Sequence, residues 1–142
     1  MQQLSRQECA DLLARHNIGR VGFAAPDGLH VLPVTYVYWS GAVVFRTSPR
    51  GVLSALQDRS KVAFEIDEID VATGDGWDVE VRGATRKVWD AQELEPLWRH
   101  PKLTPWMPDV RPLVIAIEPE SVTGRRIWFP GAQQQEPRST AG

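Results

Sequence analysis

A predicted junction between a strand and a helix, flanked by Arg46 and Arg50, is the part of the sequence best suited to bind a ligand. The apolar run Val43–Phe45 predicts a buried strand, and the Ser-Pro-x-Gly turn after Thr47 predicts its end. A helix beginning at Gly51 would leave several N–H groups without intrahelical partners, and its dipole would favour negative charge. With the two guanidinium groups, these amides could hold a phosphate or another anion. The alternative is an ordinary capped turn with solvated arginines.

The other residue types that could catalyse a reaction or bind a metal are scattered along the chain. His16, His30 and His100 lack the paired spacing of zinc ligands, so we expect no structural metal. Ser48 has no Gly-x-Ser-x-Gly context, and the lone Cys9 falls on the apolar face of a predicted helix. The catalytic residues are therefore left unassigned.

The composition predicts one ordinary globular domain. The chain has 142 residues, of which 42% are hydrophobic and 24% are charged, and both values are close to globular averages. A net charge of -2 argues against a nucleic-acid partner. We find no apolar signal segment and no stretch of membrane-spanning length, and the single cysteine excludes an internal disulfide. The expected location is the cytoplasm, with no membrane partner.

Apolar alternation and turn residues predict six or seven short strands. Gly83 interrupts one of them and predicts a bulge or a close backbone contact. The predicted strands are Gly19–Ala24, Leu29–Trp39, Ala42–Arg46, Lys61–Ile66, Gly76–Val88, Pro112–Glu118 and Ser121–Trp128. Because the segments between them are short, an antiparallel barrel is favoured over a parallel sheet with crossover helices. A face left apolar on such a barrel would be buried against a second copy, which predicts a homodimer.

Three short helices are predicted between these strands. A capping box at Ser5 and Glu8 begins the first, Gly51–Gln57 forms the second, and Asp90 caps a third that ends near Arg99. The polar segment 131–142 has no buried pattern and is predicted to be a disordered tail. The rest of the chain, residues 1–130, is predicted to form one domain.

The order of three motifs resembles the pyridoxamine phosphate oxidase-like family of flavin-binding split barrels, in its short single-domain branch. These motifs are Gly19–Phe23, Leu32–Tyr36 and Phe45–Pro49. Three later segments agree with it, namely Val62–Asp67, Gly76–Gly83 and Val122–Ile127. The resemblance extends from about Leu4 to Trp128.

The resemblance implies a mainly β, homodimeric split barrel that holds FMN in a groove between subunits. The flavin ring would lie along the backbone of Pro33, Val34, Thr35 and Tyr36. The phosphate would lie on Arg46, Thr47 and Ser48, with Arg50 as a substitute for a family lysine. The opposite subunit would contribute near Trp77, Trp106 and Arg111.

The tryptophans divide into two predicted groups. Trp77 and Trp106 lie beside polar or proline-rich segments, where an indole could stack on a planar ligand. Packing in the core or at an interface is the alternative for both, and it is the prediction for Trp39, Trp89 and Trp128.

The main functional prediction is an FMN-dependent oxidoreductase that transfers hydride to or from a small organic substrate. Two departures from the family pattern keep alternatives open. Val52 replaces the usual lysine, and Asp78 and Glu80 place carboxylates on a ligand-side strand, where they would repel a phosphate. One alternative is a deazaflavin-dependent reductase, whose polyglutamate tail would favour a groove rich in arginine. The other is a cofactor-free protein that sequesters a ligand.

Overall fold

The computed structural model of the protein describes residues 1–48, 51–103 and 113–128. These residues form seven strands and two α-helices. The strands are β1 Gln2–Gln3, β2 Ile18–Ala25, β3 Gly28–Trp39, β4 Ala42–Thr47, β5 Lys61–Ile69, β6 Asp75–Lys87 and β7 Leu113–Trp128. The helices are α1 Arg6–Arg15 and α2 Ala91–Trp98, and short 3-10 helices cover Val52–Ala55 and Pro101–Leu103.

The strands form one antiparallel sheet that closes on itself. Its order is β1-β7-β4-β3-β2-β5-β6, and β6 pairs again with β7 to complete the ring. The predicted mainly β barrel is therefore confirmed. The two strands predicted over 112–128 form one continuous strand over the described Leu113–Trp128, because β7 pairs with β4 through its first five residues and with β6 along nearly its whole length.

The inside of the barrel is filled by one large apolar cluster. Alternate residues of β2 to β7 point inward, and Leu13 and Cys9 of α1 cover one end. The Tyr36 hydroxyl donates a hydrogen bond to the Leu13 carbonyl oxygen at 2.8 Å. Burial raises the pKa of this hydroxyl, so it remains a donor and fixes α1 on the sheet.

A second apolar cluster lies on the outer face of β3, β4 and β7. Val37, Val44, Val114 and Ala116 point outward here, where α2 covers them through Leu97. Asp90 caps α2 through the Gln92 amide, as the sequence predicts. The second cluster therefore places the end of α2 over the ends of β4 and β7.

Two glycines allow close contacts that the barrel requires. A Cβ at Gly83 would collide with the Glu118 carbonyl oxygen, and the β6–β7 register shifts between Arg82 and Gly83, which confirms the predicted bulge. A Cβ at Gly124 would lie 2.6 Å from the Cys9 sulfur, so the missing side chain lets α1 approach β7. Among the described residues, no helix has the length and apolarity needed to cross a bilayer.

Candidate functional site

Strands β3 and β4 part at a fork, and the two ligand-binding segments predicted from the sequence lie on its two sides. The strands pair only from Tyr36 opposite Phe45 to Trp39 opposite Ala42. One step further would place Thr35 opposite Arg46. Instead, β3 continues alone with β2 and β4 continues with β7, where Arg46 faces Val114. The fork therefore leaves the β3 edge from Gly28 to Thr35 without a described partner strand on the β4 side.

Arg46 carries the strongest chemical signal at this fork. Its guanidinium carbon lies 4.2 Å from the centre of the Trp98 ring, a cation–π contact between β4 and α2. Its Nε and Nη1 atoms are buried, and they have no hydrogen-bond partner in the described part of the chain. Burial lowers the pKa of the Arg46 guanidinium, although arginine stays charged in proteins. A partly buried guanidinium with unsatisfied donors is stabilised when an anion binds to it.

The turn after β4 supplies fewer free amides than the sequence predicts. The helix expected over Gly51–Gln57 is a single 3-10 turn, Val52–Ala55, which lacks the length to build a substantial dipole. The Gly51 amide already donates to the Ser48 carbonyl oxygen at 3.0 Å, and the Ser54 amide donates to the Gly51 carbonyl oxygen. An anion at this corner would therefore depend mainly on the guanidinium of Arg46.

The β3 residues predicted to line the flavin differ in where their side chains lie. Val34 and Tyr36 point into the barrel core, whereas Pro33 is exposed and Thr35 is half-buried. A planar ligand at this strand could thus meet its backbone and its outer face but not the Tyr36 ring. Arg50, Trp106 and Arg111, also predicted for the site, fall outside the described residues.

Trp77 lies near the start of β6, whereas Arg46 lies on β4. Trp77 is half-buried opposite Arg126 of β7 and its ring centre is 5.0 Å from that of His16. On β7, Trp77 pairs with Arg126 whereas Arg46 pairs with Val114, so the two residues face opposite ends of that strand. The family resemblance assigns Trp77 to the flavin site of the opposite subunit.

The two carboxylates expected to repel a phosphate have their own counter-ions. Asp78 accepts two hydrogen bonds from Arg125, at 3.1 and 2.7 Å, and these bonds raise the pKa of that guanidinium. Glu80 accepts from Arg82 at 2.7 Å. Much of the predicted repulsion is therefore neutralised within the sheet itself.

Three residues that the sequence did not suggest for a site lie together, and one of them, Trp98, contacts Arg46. Trp98, Trp89 and Lys87 line a cavity of about 520 Å³ between α2 and the neighbouring ends of β6 and β7. Trp89 was expected to pack in the core or at an interface, but it is 68% exposed in the single chain. No local pattern predicts this grouping, because α2 comes next to β4 only when the barrel closes.

Comparisons with known proteins agree with the fold. The chain is 35% identical over 130 residues to an uncharacterised protein of Mycobacterium tuberculosis, covering 88% of this chain and 84% of that one. It superposes with a TM-score of 0.80 on the FAD-binding protein of Mycobacterium smegmatis, at 33% identity over 90% of this chain and 99% of the other. An FAD-binding protein of Mesorhizobium loti, at 22% identity and a TM-score of 0.73, covers 88% and 96% and shows the fold alone. The family model described as pyridoxamine 5'-phosphate oxidase matches residues 5–126. Because this match covers most of the chain, the chain belongs to the pyridoxamine 5'-phosphate oxidase-like family.

Proposed function

We propose that the protein binds a flavin nucleotide at the fork between β3 and β4 and is an oxidoreductase acting on a small organic substrate. FMN is the smallest flavin that would satisfy the corner at Arg46. The bound flavin would supply the hydride chemistry in its own ring. Under this proposal the described residues bind and orient the cofactor.

The observation behind this proposal is that the buried Nε and Nη1 donors of Arg46 have no hydrogen-bond partner among the described residues. A guanidinium that has lost water without gaining an acceptor costs stability, and a bound phosphate would supply the acceptor. Thr47 and Ser48 follow directly on β4 and are the nearest hydroxyls in sequence. The flavin ring would then extend across the fork toward the open edge of β3 at Thr35.

A homodimer is part of the proposal. Leu29 and Val31 lie on the outer face of β3 and are 86% and 68% exposed, and Ile18 on the neighbouring strand is also exposed. Such an apolar face is stabilised by burial against a second copy. Under this proposal, that copy brings its Trp77 to the flavin.

The first experiment is substitution of Arg46 in the purified protein. The Arg46→Ala variant should bind FMN more weakly by about 1.5–3 kcal/mol, the range for a hydrogen bond to a charged group. Quenching of flavin fluorescence during titration gives the affinity. Arg46→Lys should retain part of it, because the charge remains while the two-pronged donor geometry is lost.

A matched control is Arg15→Ala at the exposed end of α1, where the side chain donates to the Asp11 carbonyl oxygen of its own helix. Its affinity for FMN should equal that of the wild type. Equal affinity in the wild type and Arg46→Ala would remove Arg46 from the site.

The absorption spectrum of the protein as purified separates the alternatives. A flavin spectrum would exclude a deazaflavin as the main ligand. Colourless protein that does not quench added FMN would favour the cofactor-free alternative. The ion pairs of Asp78 and Glu80 weaken the electrostatic reason for that alternative.

A further inference from the structure

Trp98, the last residue of α2, contacts the Arg46 guanidinium without accepting hydrogen bonds from its buried donors. The guanidinium carbon of Arg46 lies 4.2 Å from the centre of the Trp98 ring. An aromatic ring attracts a cation through its electron-rich face, whereas a carboxylate would hold it by accepting its hydrogen bonds. The Nε and Nη1 donors of Arg46 are buried and have no hydrogen-bond partner in the part of the chain that the structure describes. The contact with Trp98 therefore leaves these two donors for an acceptor on a ligand.

The position of Trp98 is set by the attachment of α2 to the barrel. Leu97, its neighbour in α2, is buried and packs in the second apolar cluster. Arg86 of β6 donates two hydrogen bonds to the Glu93 carboxylate of α2, both at 3.0 Å, and one to the Glu118 carboxylate of β7 at 2.9 Å. Apolar packing and this ion-pair network thus fix α2 against the strands, and with it the ring of Trp98.

An arginine that is fixed before its ligand arrives binds that ligand more tightly. The arginine side chain has several rotatable bonds, and ordering such a side chain upon binding costs affinity. A guanidinium held over an indole ring has already lost part of that freedom. Without the ring, Arg46 would be free to rotate and its donors would meet water. An anion would then have to order the side chain and displace that water.

We propose that Trp98 is a positioning residue for the anion site: its indole ring holds the Arg46 guanidinium so that the Nε and Nη1 donors stay available to a phosphate. This inference rests on the proposed flavin site at Arg46 and deepens it. It makes helix α2, which lies outside the strands of the fork, a determinant of phosphate affinity.

Titrations of the full-length protein with FMN and with riboflavin test the inference, because the two ligands share one ring system and differ in the phosphate. Quenching of flavin fluorescence gives both affinities, and the wild type should bind FMN more tightly than riboflavin. In Trp98→Leu the affinity for FMN should fall by about three- to tenfold, which corresponds to the cost of ordering one long side chain. The affinity for riboflavin should stay within about twofold of the wild type, because a ring that acts through Arg46 does not affect a ligand without a phosphate.

Three further variants separate positioning from other roles of the ring. Trp98→Phe should keep most of the affinity for FMN, because an aromatic face remains over the guanidinium. In the Arg46→Ala background, Trp98→Leu should change the affinity for FMN by less than about twofold, because no guanidinium is left to position. Trp98→Met, which also lacks an aromatic face, should repeat the result of Trp98→Leu and replaces it if that variant does not fold.

Trp128→Leu is the matched control. Trp128 is also partly exposed, at 51% against 38% for Trp98. It lies at the opposite end of β7 from Val114, the cross-strand partner of Arg46. The substitution should leave both affinities unchanged.

Equal losses of FMN and riboflavin affinity in Trp98→Leu would overturn the inference while leaving the flavin site standing, because the ring would then contact the flavin itself or support the fold. An unchanged preference for FMN in Trp98→Leu would also overturn it, as would a loss of FMN affinity that persists in the Arg46→Ala background. Equal binding of FMN and riboflavin by the wild type would overturn the proposed phosphate contact of Arg46 together with the inference.

Discussion

At the residue scale, two charged side chains occupy environments that the sequence alone would not assign to them. Arg46 is a cation whose buried donors lack acceptors in the described residues, and that deficit points to an anionic ligand. Glu65 is an acid whose neighbours are mostly other acids. It lies across from Glu80 on β6, and Asp67 and Asp78 are further acidic neighbours. Arg20, 3.6 Å away, offsets this only in part.

Burial and hydrogen bonding to Asp67 raise the pKa of Glu65 to about 7. In the unfolded chain the pKa of Glu65 would lie near its ordinary value of 4.5. The folded state therefore binds more protons than the unfolded state between pH 4.5 and 7. Stability should therefore fall as pH rises through this window.

The Glu65→Gln variant tests this directly. It cannot ionise, so its melting temperature should fall less than that of the wild type between pH 5 and pH 8, and it should be the more stable protein at pH 8. Thermal denaturation followed by circular dichroism measures both. Parallel pH profiles for the two proteins would show that Glu65 titrates normally.

At the element scale, the fork depends on each strand keeping a partner after β3 and β4 separate. β2 pairs with the separated part of β3, and β7 pairs with the end of β4, so neither strand loses its shape.

The approach of α1 to β7 depends on Gly124. Its added Cβ would lie 2.6 Å from Cys9 Sγ and 3.0 Å from Leu4 Cδ1.

Gly124→Ala should therefore destabilise the protein by about 1–3 kcal/mol, the usual cost of overpacking a core. Chemical denaturation gives the free energy of unfolding. Combining it with Cys9→Ala removes the colliding sulfur, so the double variant should lose less stability than the sum of the two single losses.

Gly22→Ala is the matched control, because its Cβ would meet the Ala63 and His30 carbonyl oxygens at 3.8 and 3.9 Å, which are ordinary contacts. It should change stability much less than Gly124→Ala. Strict additivity in the double variant would contradict the proposed collision between Gly124 and Cys9.

At the scale of the whole molecule, the closed ring does not bury all of its outer surface. Helix α2 covers the outer face at β4 and β7, but Leu29 and Val31 on β3 remain exposed. The same strand carries the open edge of the fork. The proposed second copy would cover this apolar face and complete the site in one step.

Leu29→Glu should convert the proposed dimer to a monomer, because a carboxylate buried in the proposed apolar interface would lose its water without a partner. Light scattering after size exclusion should give about twice 15.9 kDa for the wild type and 15.9 kDa for the variant. Flavin affinity should fall with the loss of the dimer. Val71→Glu is the control, since Val71 is 75% exposed in a loop on another part of the chain. A wild type that elutes as a monomer would contradict the dimer.

The sequence predicted the local elements well because their signals are local. The capping box at Ser5 and Glu8, the Asp90 cap and the Gly83 bulge each follow from a few neighbouring residues. The sequence-based prediction was less accurate where the ends of a helix or strand depend on partners distant in the chain. The predicted helix at Gly51 is one 3-10 turn, and β7 is one strand rather than two because β4 and β6 both pair with it.

By itself, the sequence determined the barrel class and directed attention to Arg46, since periodicity and turn chemistry act over a few residues. Only the tertiary structure decided that two donor atoms of Arg46 are buried without an acceptor in the described part of the chain, that Asp78 is paired with Arg125, and that Trp89 and Trp98 share a cavity. Each of these depends on ring closure, which brings residues from separate elements together. Burial and pairing are properties of the closed molecule, and no local pattern encodes them.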